Sequence, residues 1–253
     1  MVESDVERMK VAPCGDDLHR IATDVMAVID RVRQANAATA WPCVTLSYAQ
    51  SLDGSIAGCS GETLGISGGP ALDFTHRLRA MHDAILVGVN TVLVDDPLLT
   101  VRRCTGRNPR PIIVDSQLRT PLDSRLVRRH EAATIIATTE GACAEKAARL
   151  AASGAEVWFL PKTASGWVAL PSLLARLGRE GIGSVMVEGG ASIITSVLSS
   201  DLADQLVVTV APCLVGGVRA VGALDGAGVA RPGLVRVRYS RAGDDLLVHS
   251  EFA

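Results

Sequence analysis

The chain has 253 residues, 48 % hydrophobic but only 3 % aromatic, with a formal net charge of −2. It can bury a full core, is too apolar for disorder over most of its length, and lacks the rings and positive charge of a nucleic-acid or anionic-membrane binder. Its core has to be built from Ala, Val, Leu and Ile, which suits Val/Ile strands and Ala/Leu helices. Six cysteines (Cys14, Cys43, Cys59, Cys104, Cys143, Cys213) stand singly, without a Cys-x-x-Cys pair. His19, His130 and His249 show no ligand spacing either, so no metal site is expected. Met1 to Lys10 is charged and lacks the apolar core of a signal peptide, and no apolar run of about 18 residues occurs. The expected compartment is the reducing cytoplasm.

In chain order, Asp16 or Asp17 is the expected cap of a first helix, with Leu18, Ile21, Ala22, Val25, Ile29 and Val32 at helical spacing. This stripe is expected to pack on the domain or in a dimer interface. Ala37 to Ala40 reads as a linker, and Trp41-Pro42 opens the main domain. The division is therefore residues 1–40 as an N-terminal helical extension and 41–253 as one domain. Val44 to Gln50 reads as a strand, Ser51-Leu52-Asp53-Gly54 as a turn, and Ser55 to Ala57 as a second extended piece. Gly58 to Gly69 holds five glycines in twelve residues, a loop too long to be only a connector. Pro70 suits a first helical turn, and Ala71 to Met81 continues it.

Asp83 to Arg102 is the stretch around which the rest is arranged. Ala84 to Val87 reads as a buried strand and Gly88 as its turn. Val89 to Val94 forms one or two helical turns, which Asp96-Pro97 stops. Further strands are expected at Pro111–Asp115, Ala133–Thr138, Ala155–Leu160, Ser184–Glu188 and Gln205–Ala211. Helices are expected near Ala142–Ala152, Leu170–Arg179 and Ala191–Leu198. Val215 to Gly233 reads as a glycine-rich loop, and Leu234–Tyr239 with Leu246–Phe252 as a closing strand pair. Alternating strands and helices imply an α/β fold: a central, mostly parallel sheet with flanking helices and an antiparallel C-terminal strand pair.

Two constellations can carry chemistry. At Glu188-Gly189-Gly190-Ala191-Ser192, two glycines join a strand to a helix, so a diphosphate can approach the backbone and the helix N-terminus. It is neither a dinucleotide fingerprint nor a P-loop, and glycines are common at such turns for steric reasons alone. Glu188, at the carboxyl end of a buried strand, needs a partner. The second constellation is Arg77, Arg79, Arg102 and Arg103. Arg79 and Arg102 are candidates to converge on a phosphate, against the plain reading of solvated charge. No nucleophile elbow is found: Gly65-Ile66-Ser67-Gly68-Gly69 lacks a preceding strand. Structural or exposed roles, rather than that of a general base, are expected for His76 and His82.

The segments Val44–Gly54 (Val-Thr-Leu-Ser-Tyr-Ala-Gln-Ser-Leu-Asp-Gly), Leu78–Gly88, Thr91–Arg102 and Val187–Gly190 resemble the pyrimidine reductases of riboflavin biosynthesis. The resemblance runs from about Trp41 to the C-terminus. It implies a dihydrofolate-reductase-like fold, usually a homodimer, that uses NADPH to reduce the ribosyl group of a 6-ribosylamino-pyrimidine 5′-phosphate to a ribityl chain. By the same resemblance Ala49, Thr91, Asp95, Ser116 and the segment from Gly189 through Gly190, Ala191, Ser192 and Ile193 to Ser196 hold NADPH. Thr63, Arg79, Leu99, Arg102 and Glu188 contact the substrate, Glu188 as the group that orients it. No metal is implied. Residues 1–40 carry neither the His-x-Glu nor the Cys-x-x-Cys signature of the deaminase that precedes the reductase in two-domain members. Ser47 stands where those members often have Lys, and Gly65 where their glycine loop has Trp; Ser47 to Gln50 looks more like the stand-alone type acting on the 2,5-diamino compound. Arg119, near Ser116, is a candidate for preferring the phosphorylated dinucleotide. The competing readings are a paralogue reducing another pterin- or pyrimidine-like compound, and a catalytically silent NADPH-binding protein.

Overall fold

The computed structural model describes residues 14–59, 64–129, 131–224 and 232–253. Helix α1 (Cys14–Ala35) leads to strands β1 (Cys43–Ser51) and β2 (Ser55–Ala57), then α2 (Gly69–Met81), β3 (Ala84–Gly88) and α3 (Val89–Asp95). There follow β4 (Arg110–Val114), β5 (Ile135–Thr139), α4 (Ala144–Ala152), β6 (Glu156–Leu160), α5 (Leu170–Arg179), β7 (Ser184–Val187) and α6 (Ala191–Ser199). The chain closes with β8 (Gln205–Ala211), β9 (Val218–Arg219), β10 (Leu234–Ala242) and β11 (Asp245–Phe252).

Nine strands form one sheet in the order β10-β11-β8-β1-β7-β3-β4-β5-β6. From β8 to β6 every neighbouring pair is parallel, and the β11–β8 and β10–β11 pairs are antiparallel. This is the architecture expected from the alternation of elements. Successive residues of its central strands face opposite ways, and both faces are apolar. Ala84, Leu86, Ile112, Ile135 and Ala137 pack with Leu173 and Leu177 of α5 and Ile194 and Val197 of α6. Their neighbours Ile85, Val87, Ile113 and Ile136 pack with Val92 of α3 and Ala147 and Leu150 of α4. Each of the Val, Leu and Ile side chains among them contributes about 1.5–3 kcal/mol when removed from water.

Helix α1 does not hang free. Ile21, Val25, Val28 and Ile29 are buried against Phe74 and Leu78 of α2 and Met186, Val207 and Leu247 of the sheet. The stripe read from the sequence thus covers the chain's own sheet. The helix is described from Cys14 onwards, so Asp16 and Asp17 lie inside it rather than capping it. The segment read as a linker is a tight turn: Ala40 has φ 54, and a Cβ on Gly178 of α5 would lie 1.5 Å from its carbonyl oxygen. Only glycine lets α5 and this turn approach so closely.

A buried polar chain runs between α2 and the sheet. His82 Nδ1 lies 2.7 Å from the Leu78 carbonyl, and His82 Nε2 lies 2.7 Å from Thr45 Oγ1. Gln205 Nε2 donates to Thr45 Oγ1 at 2.9 Å, and His249 Nε2 lies 3.0 Å from Gln205 Oε1. Because a carbonyl only accepts, His82 carries its proton on Nδ1 and accepts the Thr45 hydroxyl proton on Nε2. Burial drives the pKa of His82 down to about 4. The structural role expected for this histidine is what the hydrogen bonds show.

One strand of the glycine-rich loop was not legible. The two residues of β9 pair antiparallel with β2. The Asp53 carboxylate holds this flap in place. It accepts hydrogen bonds from the Ser51 and Ser55 hydroxyls at 2.7 Å each, and from the Val215 and Gly216 N–H groups at 2.8 and 2.9 Å. The two hydroxyls first, then the two N–H groups, hold its pKa well below the usual carboxylate range. Among the described residues, no helix is long and apolar enough to cross a membrane.

Candidate active site

A cleft of about 1060 Å³ opens along the carboxyl ends of the parallel strands. Open α/β sheets bind ligands there, at the point where the strand order reverses. Here the chain leaves β3 towards β6 and returns to lay β7 between β1 and β3. Ala49 of β1, Gly88 of β3, Thr91 and Asp95 of α3, and Glu188 to Ile193 all line the cleft, as does Ser116.

The β7–α6 junction is built to bring backbone close to a ligand. Gly189 and Gly190 have φ 112 and 84, a region that side chains rarely adopt. A Cβ on Gly189 would meet nothing within 4 Å, and one on Gly190 would lie 3.5 Å from Thr91 Oγ1. Gly190 opens α6, and no side chain caps it. The free N–H groups and positive end of that helix therefore face the cleft. Gly88 has a different constraint. A Cβ there would come within 2.9 Å of Ile193 Cγ1, so glycine seats α6 on β3.

Glu188 extends the register of β7, its N–H donating to the Leu86 carbonyl at 2.9 Å. The partner its carboxylate needs is Arg79. Nε of Arg79 donates to Glu188 Oε2 at 2.8 Å, Nη2 forms the second arm of the fork on Oε1, and Nη1 donates to the Thr100 carbonyl at 3.1 Å. Arg79 is buried. Three of its five N–H groups are thus engaged with the protein, two of them on Glu188. The structure makes Arg79 the holder of Glu188.

Arg102 is exposed and differently placed. Its guanidinium donates to Thr100 Oγ1 at 2.7 Å, and no carboxylate pairs with it among the described residues. Desolvation, then the charges of Arg79 and Arg125, lower its pKa. Its main-chain N–H donates to Nδ1 of buried His76 at 2.9 Å. Burial first, then Arg79, Arg102 and Arg103, push the pKa of His76 down to about 4, so the acceptor stays unprotonated near neutrality. An excess of positive charge over one carboxylate beside the cleft suits an anionic ligand.

The remaining expected residues fall less simply. The Leu99 side chain is buried in the core with Val92, Leu118 and Leu126, and its φ is 50, so only its main chain is left for a ligand. Ser116 Oγ accepts from the Val168 N–H at 3.0 Å, and its carbonyl accepts from Thr139 Oγ1 at 3.0 Å. Thr63 lies outside the described residues. Arg103 is drawn away to Asp73. The cleft also uses residues that sequence reasoning missed, among them Tyr48, Ile56, Ile66, Asn90 and Trp167. Tyr48 sits in the quoted β1 motif, which was the available signal. Trp167 lies in a segment without periodicity, where no signal existed.

A model of the RibD C-terminal domain family matches residues 42–248. The chain belongs to the RibD C-terminal domain family. The 2,5-diamino-6-ribosylamino-4(3H)-pyrimidinone 5′-phosphate reductase of Methanothermobacter thermautotrophicus is 41 % identical over 82 % of this chain and 96 % of its own length. The enzyme of the same name from Archaeoglobus fulgidus is 36 % identical over 83 % and 98 %. Against the riboflavin biosynthesis protein RibD of Actinobacillus pleuropneumoniae, identity is 39 % over 74 % of this chain but only 50 % of that protein. Among solved structures, the riboflavin biosynthesis reductase Rib7 of Saccharomyces cerevisiae superposes with a TM-score of 0.66 at 28 % identity, over 85 % of this chain and 91 % of that one. RibD of Acinetobacter baumannii superposes with a TM-score of 0.74 at 26 % identity, over 91 % and 63 %. The RibD C-terminal domain fold and the family expected from the β1, β3–α3 and β7 motifs are therefore the ones found.

Proposed function

We propose that this chain is an NADPH-dependent reductase of riboflavin biosynthesis, acting on 2,5-diamino-6-ribosylamino-4(3H)-pyrimidinone 5′-phosphate. The observation that carries the reading is the cleft at β7. It sets the uncapped, glycine-opened N-terminus of α6 beside a fixed carboxylate, Glu188, with the exposed charge of Arg102 nearby. A dinucleotide fits the first part, because Gly189 leaves open space where any other residue would place a Cβ. A reduced nicotinamide held there would supply the hydride for C1′ of the ring-opened imine, the imine nitrogen taking up a proton from solvent. Backbone N–H groups of α6 hold the cofactor's phosphates, flanked by Thr91 and Asp95. Glu188, locked by Arg79, accepts hydrogen bonds from the substrate and fixes its orientation. Arg102 holds the 5′-phosphate. The chain's own contribution is positioning, which is worth several orders of magnitude in rate when two reactants are aligned.

Two relatives matched over nearly their whole length carry the diamino compound in their names, which favours that substrate. The match to half of a RibD protein keeps the deaminated 5-amino compound as the second reading. The protein is incubated with NADPH and each pyrimidine phosphate, and loss of reduced-nicotinamide absorbance is followed. Faster oxidation with the diamino compound is expected. Oxidation only with the deaminated compound selects the second reading, and oxidation with neither refutes both. Glu188→Gln is expected to lower turnover; unchanged kinetics would return Glu188 to a purely structural role.

We also assign a second copy of the chain to the outer face of β10 and β11. Val237, Tyr239 and Leu246 are 38, 66 and 41 % exposed there, on the face opposite the Arg238–Asp24 pair with α1. An apolar strip on an edge strand is costly to leave in water.

A further inference from the structure

The wall of the cleft on the β1 side is made by chain that little packing holds. Ile56 and Ala57 of β2 and Val218 of β9 line the cleft beside Tyr48 and Ala49 of β1. Strand β1 is the neighbour of β7, with Leu46 level with Val187, so this wall flanks Glu188. Val218 is 37 % exposed, an apolar side chain turned to the cleft rather than into the core. Its strand has two residues, and a two-stranded pair of that length is not stable alone. Downstream the chain is secured, because Ala220 is buried and its N–H donates to the Gly54 carbonyl at 2.9 Å. Upstream it is not packed: Leu214 is 77 % exposed.

Asp53 holds the upstream end. Its carboxylate reaches 162 and 163 residues along the chain to the N–H groups of Val215 and Gly216. The Ser55 hydroxyl, which donates to Asp53 Oδ2, accepts the Gly217 N–H at 3.0 Å. Three successive N–H groups are thus fixed by one carboxylate, two directly and one through a hydroxyl, and bonds to a charged acceptor are the stronger kind. A Cβ on Gly217 would lie 2.0 Å from the Ala57 carbonyl oxygen, so β2 is met here backbone against backbone. Val218, the next residue, takes its position from this contact.

We propose that Asp53 is a positioning residue for the hydride transfer: it touches neither reactant, and it sets Val218 and Ile56 as the wall against which the two are aligned beside Glu188. This rests on the reading of the cleft as a reductase site. The alignment of two reactants is sensitive to displacements of about 1 Å. Loss of the carboxylate frees residues 215–217 from β2 and lets the wall move by that much.

The test compares Asp53→Ala, Val218→Ala and the double variant with the parent, in NADPH oxidation with the pyrimidine phosphate that the parent uses. Asp53→Ala is expected to lower kcat about tenfold or more with the Kd for NADPH unchanged, because α6 still holds the phosphates. Val218→Ala is expected to lower kcat several-fold, and the double variant to lose no more than Asp53→Ala, since both act through one wall. Hydrogen exchange at Val215 and Gly216 is expected to quicken in Asp53→Ala and not in Val218→Ala. If Asp53→Ala does not fold, Asp53→Asn, with one acceptor oxygen in place of two, carries the same comparison with a smaller loss. An unchanged kcat despite faster exchange, or losses that add in the double variant, would overturn this inference and leave the reductase reading standing. Parent protein that oxidises NADPH with neither pyrimidine phosphate overturns both.

Discussion

Acidification should unfold this protein in part through one buried side chain, His82. In the folded chain it is neutral, with Nδ1–H on the Leu78 carbonyl and Nε2 accepting from Thr45. Its pKa is about 4, against an ordinary value of 6.5. Between those values the unfolded chain binds the extra proton and the folded chain does not, so stability falls as pH falls through 6.5 and levels off below 4. Moving from pH 7 to pH 5 should cost about 1.8 kcal/mol from this residue alone, rising to about 3.4 kcal/mol at still lower pH. His82→Gln removes the titration. Urea unfolding of parent and variant at both pH values isolates the effect, because every other titrating group cancels in the double difference. The variant should lose about 1.8 kcal/mol less than the parent between the two pH values. Equal losses would show that His82 is not held neutral by the core and would refute the argument.

Three further outcomes follow from the geometry. Arg79→Met leaves Glu188 without its partner and should cost about 3–5 kcal/mol in urea unfolding, with the double variant Arg79→Met/Glu188→Leu recovering part of the loss. If the single and double variants are equally unstable, the pair is not what Arg79 contributes. Arg102→Ala should raise the Michaelis constant for the pyrimidine phosphate about tenfold or more, with NADPH affinity unchanged; the reverse pattern would move Arg102 to the cofactor. Tyr239→Asp should shift the protein from dimer to monomer in sedimentation, and a parent that already sediments as a monomer would remove the second copy from the β10–β11 face.

The sheet was readable because its central strands are apolar on both faces, so Ala84–Val87 and Ile112–Val114 stand out as short unbroken runs. The Glu188-Gly189-Gly190 junction was readable as a strand-to-helix turn for a related reason, since a glycine pair ends such a run, and it was the acidic residue beside it that pointed to a ligand. The fate of Arg79 was not. Its partner lies 109 residues away, and no local pattern tells a guanidinium that grips a neighbour from one that waits for a phosphate. The burial of Leu99 was hidden for the opposite reason: it sits in a loop next to polar residues, yet its side chain completes the core and leaves only its main chain for a ligand. Strand β9 escaped because two residues in a glycine-rich loop carry no alternation, and only the Asp53 clamp across residues 51–55 and 215–216 reveals it. Trp167 escaped because its exposure is a property of the folded turn, not of the sequence around it.

The placement of β7 has a consequence for how the protein is made. Its two neighbours, β1 and β3, emerge from the ribosome long before it, yet they never touch in the finished sheet. Until residues 184–187 arrive, neither β1 nor β3 has the neighbour that lies between them in the finished sheet, and unpaired strand edges are prone to pairing with another molecule. The same four residues deliver Glu188 and the opening of α6. Insertion of this one strand therefore joins β1 to the β3–β6 side of the sheet and brings Glu188 and the opening of α6 to the cleft in a single event. A ligand that binds the pocket stabilises only chains in which that event has occurred, so it acts as a selective stabiliser of the correctly closed sheet.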